Sequence, residues 1–120
     1  MNLENTVFTV ESARLSDAEA IHGLVTFWAD RGDMLHRPIG EIYEAIRDFK
    51  VVRLNGEVAG CGSLHIMGED LAEIRSLAVK EDIQAKGVGA AIVAACTLPN
   101  TFLTGFFDLS PSITYQPQTN

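Results

Sequence analysis

Residues Val79 to Ala91, Val-Lys-Glu-Asp-Ile-Gln-Ala-Lys-Gly-Val-Gly-Ala-Ala, have the types and spacing that point most directly to a chemistry. An apolar strand, Ile74 to Val79, runs into a loop with a lysine and two glycines, and an alanine-rich helix follows. Such a joint leaves several backbone N–H groups unpaired at a helix N-terminus. They point one way with the positive end of the dipole and so seat a phosphate or pyrophosphate. A side chain at Gly87 or Gly89 would hold the anion away from the backbone. Two familiar phosphate motifs are excluded by spacing. The P-loop fails because Lys86 precedes the glycines and no Ser or Thr follows them. The dinucleotide fingerprint G-x-G-x-x-G fails at its third position, where Ile92 stands. The hexamer alone also suits a glycine-softened turn that merely opens a core helix.

The pattern that fits is Q/R-x-x-G-x-G/A, present as Gln84-Ala85-Lys86-Gly87-Val88-Gly89. It is the pyrophosphate-binding signature of the GNAT N-acetyltransferases, and the chain resembles that superfamily. Ala72 to Val79 looks like the family's central strand, on which the pantetheine arm of acetyl-CoA lies. Further similar segments are Gly32-Asp33-Met34-Leu35-His36-Arg37, Ile42 to Phe49, and Gly60-Cys61-Gly62-Ser63-Leu64-His65. Together they resemble the GNAT domain of N-acetylglutamate synthases and their short relatives in arginine biosynthesis, over about residues 6 to 96. The resemblance implies acetyl-CoA as cosubstrate and no metal. Leu77, Ala78 and Val79 of the strand would hold it, with a backbone N–H of Leu77 or Ala78 on the thioester carbonyl. Gln84, Ala85, Lys86, Gly87, Val88, Gly89 and Ala90 would hold its pyrophosphate.

Acyl transfer to an amine needs that amine deprotonated, and a free α-amino group with a pKa of roughly 8 is mostly charged at neutral pH. A positioned carboxylate can take the proton directly or through water. Glu73, early on the central strand, is the expected base. Its plain alternative is a strand carboxylate paired with a neighbouring Arg or Lys. The family likeness implies an amino-acid acceptor, glutamate first, whose carboxylates bidentate arginines would read. Arg37 and Arg75 are the expected readers, and surface charge and an ion pair with Glu73 or Glu57 are their alternatives. His22, His36 and His65 lack metal-ligand spacing, so His65 reads as a core or supporting histidine. Tyr115 is the only tyrosine near enough to the C-terminus to be offered as the group that protonates the departing thiolate.

Composition sets limits on these readings. With 120 residues, 47% of them hydrophobic, the chain has room for one core and no second domain. No apolar run approaches membrane-spanning length, and Met1 to Asn5 lacks the pattern of a signal peptide. Cys61 and Cys96 have no C-x-x-C or His pattern and read as reduced thiols of a cytoplasmic protein. Sixteen acidic against nine basic residues give a net charge of −7, which excludes a basic nucleic-acid-binding stripe. An anionic cosubstrate and acceptor then require local positive charge, for which Arg31, Arg37, Arg75 and Lys86 are the candidates.

The elements that must position these groups follow in the order β-α-α-β-β-β-α. This is an α/β fold, GNAT-like, with a mixed, mostly antiparallel sheet. Thr6 to Ser12 is a strand, and Ser16-Asp17-Ala18-Glu19 a capping box opening a helix with Ala18, Ile21, Leu24, Val25 and Trp28 on one face. Pro38 starts a second helix with Ile42, Ala45, Ile46 and Phe49 buried. Val51 to Leu54 and Glu57 to Ile66 flank the hairpin signal Asn55-Gly56. Leu71 to Val79 is the ligand strand, and the helix from Gly87 is expected to stop at Pro99. Thr101 to Phe107 is expected as a short strand, closing a single domain over 1–108 before a polar tail, 109–120. Compared with the family the chain is shortened after Cys96, which leaves a sheet edge open to a second copy. The same shortening keeps two other readings in view: a non-catalytic remnant, or an acyl-CoA-binding regulatory module.

Overall fold

The computed structural model describes residues 9–83, 87–104 and 113–115. A five-stranded sheet lies between helices on both faces, with strand order β1-β2-β3-β4-β5. The strands are β1 (Thr9–Ser12), β2 (Phe49–Leu54), β3 (Glu57–Gly68), β4 (Leu71–Val79) and β5 (Ile113–Tyr115). The first four are antiparallel neighbours, and β5 runs parallel to β4 with Glu73 opposite Thr114. Helices α1 (Ala18–Asp30) and α2 (Ile39–Glu44) cover one face. Helix α3 (Val88–Thr104) covers the other. No helix among the described residues is long and apolar enough to cross a membrane.

Side-chain alternation builds the two cores. On one face Ile21, Val25, Ile42 and Phe49 pack with Val51, Cys61 and Ala78 of the sheet. On the other, Val88, Ile92 and Cys96 of α3 pack with Val52, Leu64, Ala72 and Ile74. Helix α3 can approach only because β3 carries glycines. A Cβ on Gly62 would lie 2.8 Å from Ile92 Cγ2, and one on Gly60 would lie 3.0 Å from Ile92 Cδ1. Asn55 and Gly56 both take positive φ, 54° and 81°, the turn that joins β2 to β3 without splaying their twist.

Several expectations need correction. The α1 stripe is buried as read, but its capping contact sits earlier: the Asp17 carboxylate accepts the Arg14 backbone N–H at 2.8 Å, ahead of a 3-10 turn over Leu15–Asp17. Asp17 is the residue that can do this because it also has a cation to face. Pro99 does not end α3, which continues to Thr104. A proline lacks only the one N–H that would reach back four residues, so a helix whose other rungs are intact can run through it at a cost of about 3 kcal/mol. Thr101 to Thr104 are therefore helical rather than strand, and Gly105 to Phe107 lie outside the described residues. Strand β5 falls within the segment expected as a polar tail. Residues 6–8 of the expected first strand also lie outside the described residues.

One buried ion pair ties the N-terminal part together. Arg53 on β2 donates to both Asp17 oxygens, at 2.9 and 2.7 Å, and its Nε donates to Glu11 on β1 at 3.1 Å. The guanidinium holds the Asp17 carboxyl below its ordinary range, against the opposing effect of burial. A depressed folded-state pKa stabilises above the unfolded value and loses that contribution as pH falls. Replacing Asp17 by Asn puts an NH2 against the guanidinium and is expected to cost roughly 3 kcal/mol at pH 7. Urea melts from pH 7 to 3 should show wild type losing stability below about pH 4, with this part of the acid slope missing in Asp17→Asn. Equal slopes would remove the pair from the account.

Candidate functional site

The central feature is a bulge in β4. Cys61 pairs with Ala78 and Ser63 with Arg75, so Ser76 and Leu77 together face the single residue Gly62. Ser76 takes φ 55°, a left-handed conformation rarely adopted by a residue with a side chain. The bulge reverses the alternation: Ile74 packs against α3, Arg75 and Ser76 both face α2, and Leu77 returns to the α3 side. A bulge leaves its extra residue outside the ladder. Ser63 Oγ donates to the Arg75 carbonyl at 3.2 Å and Cys61 Sγ to the Ser76 carbonyl at 3.5 Å, fixing the distortion from β3.

Between α2 and this part of the sheet lies a cleft of about 300 Å³. Arg37, Glu41, Glu44 and Asp48 line one wall; Ser63, His65, Arg75 and Ser76 line the other. Arg37 and Arg75 thus line the same cleft. Arg37 is 3.5 Å from Glu41, an exposed partner. Arg75 Nε bonds Glu73 Oε1 at 2.5 Å, and the Glu73 side chain is 13% exposed. Strand β4 is regular from Glu73 to Arg75, so both project from one face. Glu57, the other suggested partner of Arg75, pairs with Lys80 instead.

Arg31 is not in this cleft. Its guanidinium lies 3.9 Å from the Phe27 ring centre and 3.7 Å from Glu81. It flanks a second groove of about 600 Å³, lined by Gly23, Phe27, Val58 and Lys80 to Asp82. Nearby, Trp28 Nε1 donates to the Val79 carbonyl at 2.9 Å and pins the end of β4 to α1.

The glycine loop is anchored on both sides. Ile83 closes a 3-10 turn before it and Val88 opens α3 after it, and both side chains are buried beside Ile92. Gln84, Ala85 and Lys86 lie outside the described residues. The Gly87 carbonyl accepts the first helical bond, from Ala91 N–H at 3.0 Å. The N–H groups of Val88, Gly89 and Ala90 therefore stand at the first helical turn, where intrahelical partners run out. Gly87 has φ 83°, and a Cβ at either Gly87 or Gly89 would meet open space. The described part of the loop thus leaves backbone N–H groups and open space at the start of α3.

The comparisons with known proteins fit this geometry. Residues 14–97 match the model of the acetyltransferase (GNAT) family. The chain belongs to the GNAT acetyltransferase family. It is 45% identical over 84 residues to an uncharacterized N-acetyltransferase of Chlorobaculum tepidum, covering 70% of this chain and 54% of that protein. It is 41% identical over 87 residues to an amino-acid acetyltransferase of Mycobacterium tuberculosis, covering 70% and 49%. The chain thus spans about half the length of these curated relatives. Among solved structures, a Mycobacterium tuberculosis protein in complex with CoA and NLQ superposes with a TM-score of 0.73 at 38% identity, covering 79% of this chain and 58% of that one. The N-acetylglutamate synthase of Neisseria gonorrhoeae, complexed with coenzyme A and N-acetyl-glutamate, gives 0.75 at 24% identity, over 85% and 24%, and supports the fold.

Within this GNAT domain, sequence reasoning missed three things: the bulge at Ser76, the Trp28 anchor, and the place of His65 in the cleft. The glycines of β3 were the available signal for the first, since glycine inside a strand marks bulges and close approach. His22 and His36 have local partners, Thr26 at 3.5 Å and Asp30 at 2.7 Å. Burial pushes the Cys61 thiol up to about 12, with the Ala78 N–H opposing weakly, and the Cys96 thiol up to about 11. Both are in thiol form. Native protein at pH 7 should therefore resist iodoacetamide at both positions and react only on unfolding. Labelling of the folded chain at the rate of a free thiol would contradict this burial.

Proposed function

We propose that this GNAT domain is an acetyl-CoA-dependent N-acetyltransferase acting on the amino group of a small amino acid, with glutamate the first candidate. The observation that carries the reading is the single cleft lined by Arg37 and Arg75, with Glu73 bonded to Arg75 on the same strand face. Two guanidinium groups in one small cleft match the carboxylates of an amino-acid acceptor. Both are engaged by protein carboxylates, so an acceptor would exchange one partner for another rather than meet bare charge. The Arg37–Glu41 contact is long and exposed and would yield at little cost.

In this reading Glu73 takes the ammonium proton and Arg75 orients its carboxylate. The N–H of Leu77, at the bulge, or of Ala78 would polarise the thioester carbonyl. Acetyl-CoA would lie along Leu77 to Val79, with its pyrophosphate on the N–H groups from Gln84 to Ala90. Lys86 would add charge. The Mycobacterium tuberculosis amino-acid acetyltransferase and the CoA-bound neighbours support the same assignment. An amino-acid product of this kind fits arginine biosynthesis in the cytoplasm. Tyr115, on β5, is kept as the proposed acid for the thiolate.

Steady-state kinetics separate the roles. Glu73→Gln should lower kcat by 10²- to 10⁴-fold while acetyl-CoA affinity stays within twofold. Arg37→Ala should raise the acceptor KM at least tenfold with kcat and acetyl-CoA affinity little changed. Equal loss of kcat and cosubstrate affinity in Glu73→Gln would make Glu73 structural. An unchanged acceptor KM in Arg37→Ala would remove Arg37 from the site.

A further inference from the structure

On the sheet wall of the cleft, one titratable group has no task in the reading above. His65 on β3 is the direct ladder partner of Glu73 on β4. Residues directly opposite in an antiparallel pair project from one face, with Cβ atoms about 4.5–5.5 Å apart. His65 lines the cleft beside Arg75, to which Glu73 is bonded. The two differ in access to water: the Glu73 side chain is 13% exposed and His65 is open to solvent.

Reference acidities give this pairing a use. A proton leaving an ammonium of pKa about 8 for an ordinary carboxylate near 4.3 climbs almost four units, but only about one and a half for an ordinary imidazole near 6.5. A transfer that runs through the carboxylate to an imidazole in one concerted motion ends at the smaller of these two deficits.

We propose that His65 is a proton-relay residue for acetyl transfer, receiving the acceptor's ammonium proton from Glu73, directly or through one water, and releasing it to solvent. The inference rests on Glu73 being the base. The step balances. One ammonium proton passes to Glu73, then to His65 and water. The neutral nitrogen forms a bond to the thioester carbonyl carbon as the C–S bond breaks, and the second nitrogen proton leaves with the thiolate as a thiol. The products are the N-acetylated amine, CoA and one proton. The charged groups facing His65 are Glu73 and Arg75 from β4, Arg37 from the segment before α2, and Glu41, Glu44 and Asp48 from the opposite wall.

The test combines kinetics with chemical rescue. His65→Ala should lower kcat by at least tenfold at pH 7. Added imidazole should restore it in proportion to its concentration, while Glu73→Gln should gain nothing from imidazole. A wild-type kcat in His65→Ala, or a deficit that imidazole does not touch, overturns the relay. So does a wild-type chain that binds acetyl-CoA and the acceptor without turning over. A wild-type rate in Glu73→Gln with a normal acceptor KM would instead remove the base assignment beneath it.

Discussion

The distortion of β4 at Ser76 and Leu77 is the constraint on which the rest of this structure depends. A regular strand would place Arg75 and Leu77 on one face, and the cleft would be floored by leucine. With two residues opposite Gly62, Arg75 and Ser76 both face α2 while Leu77 turns back to α3. A polar acceptor wall and an apolar helix seat are thus cut from neighbouring residues of one strand. Ser76 holds φ 55°, a conformation that costs of order 1 kcal/mol and persists only where its surroundings determine it. Ser63 and Cys61 supply that determination from β3. Gly62 supplies the room, because a Cβ there would strike both Ile92 and Leu77.

From this point the two halves of the site are set by packing. Ile92 and Val88 lock α3 to the sheet, which fixes where its first turn opens relative to the end of β4. Trp28 pins the Val79 carbonyl, and Ile83 buries the entry to the loop. The loop ends are therefore held by apolar contacts while its glycines stay clear. Net charge of −7 is no obstacle to anionic ligands under this arrangement. Arg37 and Arg75 share the cleft with Glu41, Glu44 and Asp48, the N–H groups at the opening of α3 would supply a second positive end, and most other acidic residues remain in water, where screening weakens them.

Much of this was legible in the sequence because local signals and tertiary needs agreed. The α1 stripe, the Asn55-Gly56 turn, the strand from Leu71 to Val79 and the helix after Gly87 each follow from periodicity or turn chemistry. The candidate residues Glu73 and Arg75 lie on the strand the pattern places over Leu71 to Val79, and Arg37 just before α2. What stayed hidden depends on contacts between distant segments. The capping role of Asp17 is set by Arg53, 36 residues on, and sequence spacing points to Ser16 instead. The bulge arises from the match between β3 and β4, and no residue type within β4 announces it. His65 looks unremarkable until the register sets it opposite Glu73. Pro99 misleads in the other direction, since a strong local stop was overridden by a helix with enough remaining rungs.

The central claim is that the opening of α3, at Gly87 to Gly89, holds the pyrophosphate of acetyl-CoA. The most direct measurement is thermal unfolding of wild type and Gly89→Val, each with and without saturating acetyl-CoA. Gly89 is the informative position: Gly87 has positive φ, so any side chain there strains the backbone, whereas a Cβ at Gly89 meets open space. At about a hundred times Kd the cosubstrate should stabilise wild type by roughly 2.7 kcal/mol, a shift of about 10 °C. Gly89→Val should unfold near the wild-type temperature without ligand and show no shift with it. A wild-type chain that folds but does not respond to acetyl-CoA, or a variant that responds equally, would contradict the account.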